Sequence, residues 1–263
     1  MITKTMKTDP IKRPSYSIEI QKTAAGQGDE YFFLNHDGER TQIHVHDYDT
    51  IFSIPGLYEL LFYTKLKCQS PQVVVEMLNS EIADSRLEMS QLSVLDLGAG
   101  NGMVAEKLAD SGVPSIVGVD ISEAAAQAAQ RDRPSVYDDY YVADLSVPLN
   151  EIETSLVEHD FNCLVSVAAL GFNDIPPAAF ANAFNIIEAQ GWVAFNIKED
   201  FRESQVDDSG FSKLIDTVLK ENILELKSEH SYQHRLAFDG TPLYYDAIIG
   251  VKKEDIPIEL FAG

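Results

Sequence analysis

The four residues Val94-Leu95-Asp96-Leu97 run directly into Gly98-Ala99-Gly100-Asn101-Gly102, and a second apolar run ends at Asp120, 20 residues after Gly100. An apolar run of this length reads as a buried strand, and the periodic segment that follows the glycines reads as a helix. In an open parallel sheet, the carboxyl end of such a strand meets a helix N-terminus whose unpaired N–H groups face a ligand. Glycines suit the turn because a side chain would hold the ligand off the backbone and because such turns need positive φ. Strand, glycine turn, helix and acid together describe a nucleotide-type pocket.

The rest of the chain supports a sheet of that kind. Apolar runs near 93–97, 115–120, 140–144, 161–167 and 192–198 alternate with helical segments, and this alternation predicts a mostly parallel sheet with helices on both faces. Gly112 and Pro114 close a helix from about Met103 to Asp110, and Ser122 caps an Ala-rich helix over Glu123 to Asp132. Pro176-Pro177 opens a helix expected to reach Gln190, and a further helix spans about Phe211 to Glu221. Segments 223–236 and 242–252, joined across Phe238-Asp239-Gly240-Thr241, read as a closing antiparallel pair. The expected architecture is α/β: a doubly wound, Rossmann-like, mostly parallel seven-stranded sheet with its last strand antiparallel.

Ahead of that sheet, residues 1–30 show no sustained period and are expected to be irregular. Tyr31 to Leu34 and Thr41 to Tyr48 read as a hairpin about the turn Asn35-His36-Asp37-Gly38. Leu57 to Leu66 has helical spacing, and Ser70-Pro71 reads as the N-cap and first turn of a second helix. The chain is thus divided into an N-terminal extension or cap, residues 1–85, and a main domain, residues 86–263. At 263 residues and 45% hydrophobic content, one sizeable core with an appendage is the natural size.

Charge narrows the partners. With 42 acidic against 20 basic side chains the formal net charge is -22, which repels phosphate backbones and anionic lipid heads. No nucleic-acid or membrane partner is expected, and the plain reading of the acidity is solubility. The two cysteines, Cys68 and Cys163, lie in apolar stretches, as reduced buried thiols do. No signal-peptide core and no apolar run near the roughly 20 residues of a membrane span are present, so a cytoplasmic location is expected.

Spacing discriminates between cofactors. A dinucleotide fingerprint requires Gly-x-Gly-x-x-Gly, but here the turn is Gly-x-Gly-x-Gly and Met103 stands at the third glycine position. Asp96, two residues before the first glycine, disfavours a pyrophosphate and favours a cationic ligand. Val94 to Leu108 resembles motif I of class I S-adenosylmethionine-dependent methyltransferases, and Gly118-Val119-Asp120-Ile121-Ser122 resembles the acidic segment that follows it. Val142-Ala143-Asp144-Leu145 and Phe161 to Leu170 are similar to that family's third- and fourth-strand segments. Within the family, Leu170 to Pro176, Gly191-Trp192 and Leu243-Tyr244-Tyr245 are similar to small-molecule members of the Williams-Beuren methyltransferase-like group.

The resemblance implies S-adenosyl-L-methionine as cofactor and methyl transfer to a small-molecule nucleophile. It implies that Asp96, Gly98, Ala99 and Gly100 approach the methionine portion and that Asp120 accepts the ribose hydroxyls. Ile121 and Leu145 would line the adenine, Asp144 would accept from its amino group, and Val167, or its neighbour Ala168, would face the sulfonium. The Asn/Asp-Pro-Pro-aromatic run of adenine and glutamine methylation is absent, and no general base is identified.

Substrate contacts are sought in His46, Tyr48, Tyr58 and Asn173. His44 and His46 alternate onto one face of an expected strand, as a base or as an ordinary hydrogen-bonded pair; with no third ligand at diagnostic spacing, no metal site is expected. Tyr48, Tyr58 and Tyr63 serve either as pocket lining or as core, and Asn173-Asp174 either as a substrate contact or as a turn before Pro176. Glu199 and Asp200, at the end of the fifth strand, are either substrate contacts or surface acids. Two other classes remain open: a non-catalytic S-adenosylmethionine-binding protein, and an NAD-dependent oxidoreductase.

Overall fold

The structure, a computed structural model, describes residues 15–21, 29–147, 155–170, 174–202 and 209–257. Three short strands come first, β1 (Tyr16–Ile20), β2 (Tyr31–His36) and β3 (Glu39–His44), paired antiparallel in the order β1-β2-β3. Then come α1 (Tyr48–Ser53), a π-helical turn (Glu59–Lys65) and α2 (Ser70–Asp84). The main sheet contains β4 (Ser93–Leu97), β5 (Ser115–Asp120), β6 (Asp139–Val142), β7 (Cys163–Ser166), β8 (Trp192–Lys198), β9 (Leu224–Leu236) and β10 (Pro242–Lys252). Its flanking helices are α3 (Met103–Asp110), α4 (Glu123–Asp132), α5 (Pro177–Ile186) and α6 (Phe211–Lys220).

The seven strands lie in the order β6-β5-β4-β7-β8-β10-β9. The first five are parallel, and β10 runs antiparallel to both β8 and β9. The expected α/β architecture is therefore the observed one. Strand order reverses between β4 and β7, so the carboxyl ends of β4, β5 and β7 open into the crevice where such sheets bind ligands.

Two apolar layers sandwich the sheet. One packs Leu95, Val117 and Phe195 under Phe180 and Phe184 of α5 and Leu214 and Val218 of α6. The other packs Val94, Ile116 and Val165 under Val74, Leu78 and Ile82 of α2 and Val104 and Leu108 of α3. Fully burying each such side chain contributes roughly 1.5–3 kcal/mol. A third cluster joins Phe32, Leu34 and Ile43 to Ile51, Leu57 and Leu61, with Phe238 from the β9–β10 turn completing it. The N-terminal strands thus pack on the cap helices and on the end of the long hairpin.

Several expectations are corrected. Residues 16–20, expected to be irregular, form β1, where Ser17 and Glu19 face out and Tyr16, Ile18 and Ile20 pack on the third cluster. Residues 1–14 and 22–28 lie outside the described residues. β3 ends at His44, so His44 and His46 do not share a strand face. Ser70 is the first residue of α2 rather than its cap, because its hydroxyl is engaged elsewhere, as set out below. α5 stops at Ile186 rather than Gln190: Ile187 turns extended into the core and the Glu188 amide donates to Phe161 O at 2.9 Å.

Candidate active site

A cavity of about 350 Å³ occupies the crevice. Its floor is the end of β4 and the glycine turn, Leu97, Gly98 and Gly100; one wall is Val119, Asp120, Ile121 and Ser122 after β5, continued by Ala143, Asp144 and Leu145 after β6. The other wall is Val167, Ala168 and Ala169 after β7 with Asp174, Ile175 and Pro176 before α5. His46, Tyr48, Phe52 and Tyr58 close it from the cap side.

The glycine turn is held open by its backbone. Gly98 and Gly100 have φ of +74° and +54°. A Cβ on Gly98 would meet Ala169 Cβ at 2.6 Å, and one on Gly100 would meet Phe52 Cζ at 3.3 Å. Asp120 fixes the turn: its Oδ2 accepts from the Gly100 amide and its Oδ1 from the Ser122 amide, both at 2.9 Å. Each carboxylate oxygen has a second lone pair for a ligand hydroxyl. Burial raises the Asp120 carboxyl above its ordinary range, and these amides pull it back.

Asp96 is buried completely behind the turn and does not line the cavity. Its Oδ2 accepts from Tyr137 OH at 2.8 Å, while Oδ1 is buried without a hydrogen-bond partner. Desolvation pushes its carboxyl up to about 7, against the Tyr137 hydrogen bond. Ala99 also lies behind the wall, its amide donating to Val119 O at 3.1 Å. Ile121, by contrast, is 66% exposed, an apolar shelf beside Asp120, with buried Leu145 near it. Asp144 accepts from the Ser146 amide at 2.8 Å and from its hydroxyl at 2.6 Å, and these bonds hold its carboxyl below the usual range.

The raised Asp96 pKa makes stability depend on pH. The folded state keeps the proton to about pH 7 while an unfolded Asp releases it near 3.8, so between these values folding takes up a proton. Stability contributed here is therefore lost as pH rises through that window. Asp96→Asn, which keeps an acceptor for Tyr137, should gain on the order of 2–4 kcal/mol over wild type between pH 4 and pH 8. Thermal melts at the two pH values check it, and an equal pH slope in both proteins would refute it.

The cap reaches the site through α1 and the π-helical turn. Asp47 caps α1 by accepting from the Thr50 amide at 3.3 Å. Tyr48 stacks on Phe52 at 6.1 Å and Phe52 on Tyr58 at 4.8 Å, and Ala125 and Ala128 of α4 pack beneath Phe52. Asp49 accepts a hydrogen bond from Ser122 Oγ, Arg131 donates to Phe52 O at 3.0 Å, and Arg133 pairs with Glu59 at 2.9 Å. The cap is thus pinned to α4 and to the turn after β5.

His46 Nδ1 lies 3.8 Å from Asp174 Oδ2, so one predicted substrate contact meets an acid from beyond β7. Burial, then Asp120, pushes the Asp174 carboxyl up to about 7, although 34% of its side chain remains exposed; it lines the cavity. Burial first and Arg235 second lower the His46 pKa. Asn173 lies outside the described residues. Glu199 and Asp200 do not line the cavity; Asp200 pairs with Lys198 at 2.5 Å.

A buried polar network supports the β7 edge and carried no sequence signal. Ala168 takes a φ of +58°, a position disfavoured for a side-chain-bearing residue. Its amide donates to Asn196 Oδ1 at 2.6 Å. Asn196 Nδ2 donates to Tyr232 OH at 2.7 Å and to Ser70 Oγ at 3.1 Å, and that hydroxyl sits 2.6 Å from His234 Nδ1. Phe52 and this network are the parts sequence reading did not single out, whereas Asp174 was named there with Asn173 as a substrate contact or a turn; an aromatic four residues after Tyr48 on a short helix was the one available hint of Phe52.

The residues that line the cavity fit a cationic adenosyl ligand: an acid with spare acceptors, an apolar shelf and an open glycine turn. Among the described residues no group of three or more His, Cys, Asp or Glu is placed to hold a metal ion, and no helix is long and apolar enough to cross a membrane.

A doubly wound sheet with a glycine turn and two strand-end acids around one crevice defines a nucleoside-cofactor fold. A methyltransferase domain model matches residues 74–236, more than half of the chain, and the protein belongs to that S-adenosylmethionine-dependent methyltransferase family. The cofactor of that family is S-adenosyl-L-methionine. No curated protein matches the sequence. Among solved structures, the N-methyltransferase NodS from Bradyrhizobium japonicum with S-adenosyl-L-homocysteine has 15% identity, covers 79% of this chain and 97% of its own, and superposes with a TM-score of 0.53. The magnesium protoporphyrin IX methyltransferase from Synechocystis with bound cofactor has 17% identity, covers 70% of this chain and 79% of its own, and has a TM-score of 0.48. At these identities the likeness is one of fold.

Proposed function

We propose that the chain transfers a methyl group from S-adenosylmethionine to a small molecule enclosed between the carboxyl edge of the sheet and the cap. The observation that carries this reading is that His46, Tyr48, Phe52 and Tyr58 line the cap side of the cavity, which narrows it there while it stays open to solvent beside Ile121. Its volume of about 350 Å³, which the cofactor would share, is that of a small-ligand site, and the acidic chain offers no attraction to nucleic acid. Residues 1–85 are assigned as the cap-bearing extension and 86–263 as the catalytic domain.

In this reading Asp120 accepts the ribose hydroxyls, Ile121 and Leu145 flank the adenine, and Asp144 accepts from its amino group. Gly98 and Gly100 admit the methionine portion, Ala99 and Asp96 shape and charge the turn from behind, and Val167 faces the reacting methyl. When bound, the cofactor supplies an activated methyl group; the protein contributes orientation and exclusion of water.

The test is calorimetry with S-adenosylmethionine followed by a screen of small molecules, proteins and nucleic acids for release of S-adenosylhomocysteine. Release with a small molecule is expected. Release only with a macromolecule, or cofactor binding with no release from any acceptor, would overturn the assignment, the second outcome favouring a binding protein.

A further inference from the structure

Cavity-lining charge is one-sided. Asp47, Asp49, Asp120, Asp144 and Asp174 line it, and among the described lining residues there is no Lys or Arg. Four of these acids already serve the fold: Asp47 caps α1, Asp49 holds Ser122, Asp120 holds the glycine turn and Asp144 holds Ser146. Asp174 stands apart, on the wall opposite the adenosine side, with His46 at 3.8 Å and the Tyr48–Phe52–Tyr58 stack above the same chamber.

We infer that the methyl acceptor carries a cationic amine on an apolar or aromatic body, the amine seated against Asp174 and the body against Tyr48, Phe52 and Tyr58; this rests on the function proposed above. A carboxylate or phosphate in that place would meet a wall of acids with no cation to receive it, whereas an ammonium donates directly to carboxylate oxygen and its neighbouring carbons gain from aromatic faces. Burial first and Arg235 second disfavour the protonated form of His46, which weakens its ability to cancel the charge of Asp174. Arg235, which influences His46 and Tyr48, is committed to Glu30 at 3.3 Å and to Leu236 O at 2.9 Å. Among the described residues, the groups that interact with Asp174 include His46, the Tyr48 hydroxyl and Asp120.

The experiment uses the full chain saturated with S-adenosylhomocysteine and two probes of one shape, 2-phenylethylamine and 3-phenylpropanoate. Calorimetry should show the amine binding about tenfold or more tighter at pH 7.5. Its affinity should rise from pH 5.5 to pH 7.5 as Asp174 ionises, the amine itself staying protonated. Asp174→Asn, which preserves shape, should bind S-adenosylhomocysteine as wild type does and lose both the preference and the pH slope. Equal or tighter carboxylate binding, or an amine preference that survives Asp174→Asn, overturns the inference and makes the His46–Asp174 contact a latch of the cap. Failure of S-adenosylhomocysteine to bind at all would instead strike the methyltransferase reading.

Discussion

Replacing Asp120 with alanine is expected to weaken S-adenosylmethionine binding by about 100-fold or more while the protein still folds. The size follows from two charge-assisted hydrogen bonds to the ribose, each contributing roughly 1.5–3 kcal/mol, with tenfold per 1.4 kcal/mol. A further loss comes from the turn itself, since Gly100 and Ser122 donate to the same carboxylate and would lose their anchor. The fold should survive because burial already disfavours the ionised carboxyl. Removing that charge relieves desolvation and offsets part of the two lost amide bonds. Asp120→Asn keeps only one acceptor oxygen and should fall between wild type and Asp120→Ala. Calorimetry of the three proteins, with melting temperatures as the control for folding, decides the matter; an unchanged dissociation constant for Asp120→Ala would remove Asp120 from the ribose.

The glycine-turn wall of the cavity was legible, apart from Asp96 and Ala99 which lie behind it, because its parts are close in sequence and locally patterned. Strand, glycines and acid lie within Val94 to Asp120, and the two strand-end acids sit one βα unit apart. The parallel strands were likewise readable from apolar runs bounded by turn residues. What escaped depends on contacts between distant segments. Nothing near Ser70 signals that its hydroxyl belongs to Asn196, Tyr232 and His234 rather than to a helix end. The alternation in Tyr16 to Ile20 was available, with Pro14-Ser15 before it and Gly26 and Gly28 after it, but it spans only five residues and its partner β2 lies across an intervening segment. His46 was picked for a strand it does not occupy, and it reaches the cavity because β3 ends two residues earlier and α1 turns back over the glycine loop. Helix periodicity could place α5 but not its end, where a tertiary bond to Phe161 outcompetes one more turn.

The largest effect on stability is expected at Glu30, whose loss should cost about 3–5 kcal/mol. Glu30 and Arg235 are each 3% exposed. One Glu30 oxygen accepts from Arg235 Nη2 at 3.3 Å and the other from the Phe238 amide at 2.6 Å. The pair therefore joins the segment entering β2 to the end of β9 and the turn that carries Phe238 into the N-terminal cluster. Glu30→Ala strands a buried guanidinium and a buried amide, whereas neither loss is compensated by water inside the cluster. At roughly 2–4 °C per kcal/mol for a chain of this size, the melting temperature should drop by about 10 °C. A double variant, Glu30→Leu with Arg235→Met, removes both charges and should recover most of the loss, because a buried pair is often no more stable than apolar residues of similar size. Recovery should stop about 1 kcal/mol short, since the Phe238 amide still lacks its acceptor. Denaturant melts of the single and double variants test this, and a double variant as unstable as Glu30→Ala would mean that packing in the N-terminal cluster, not the stranded charge, sets the cost.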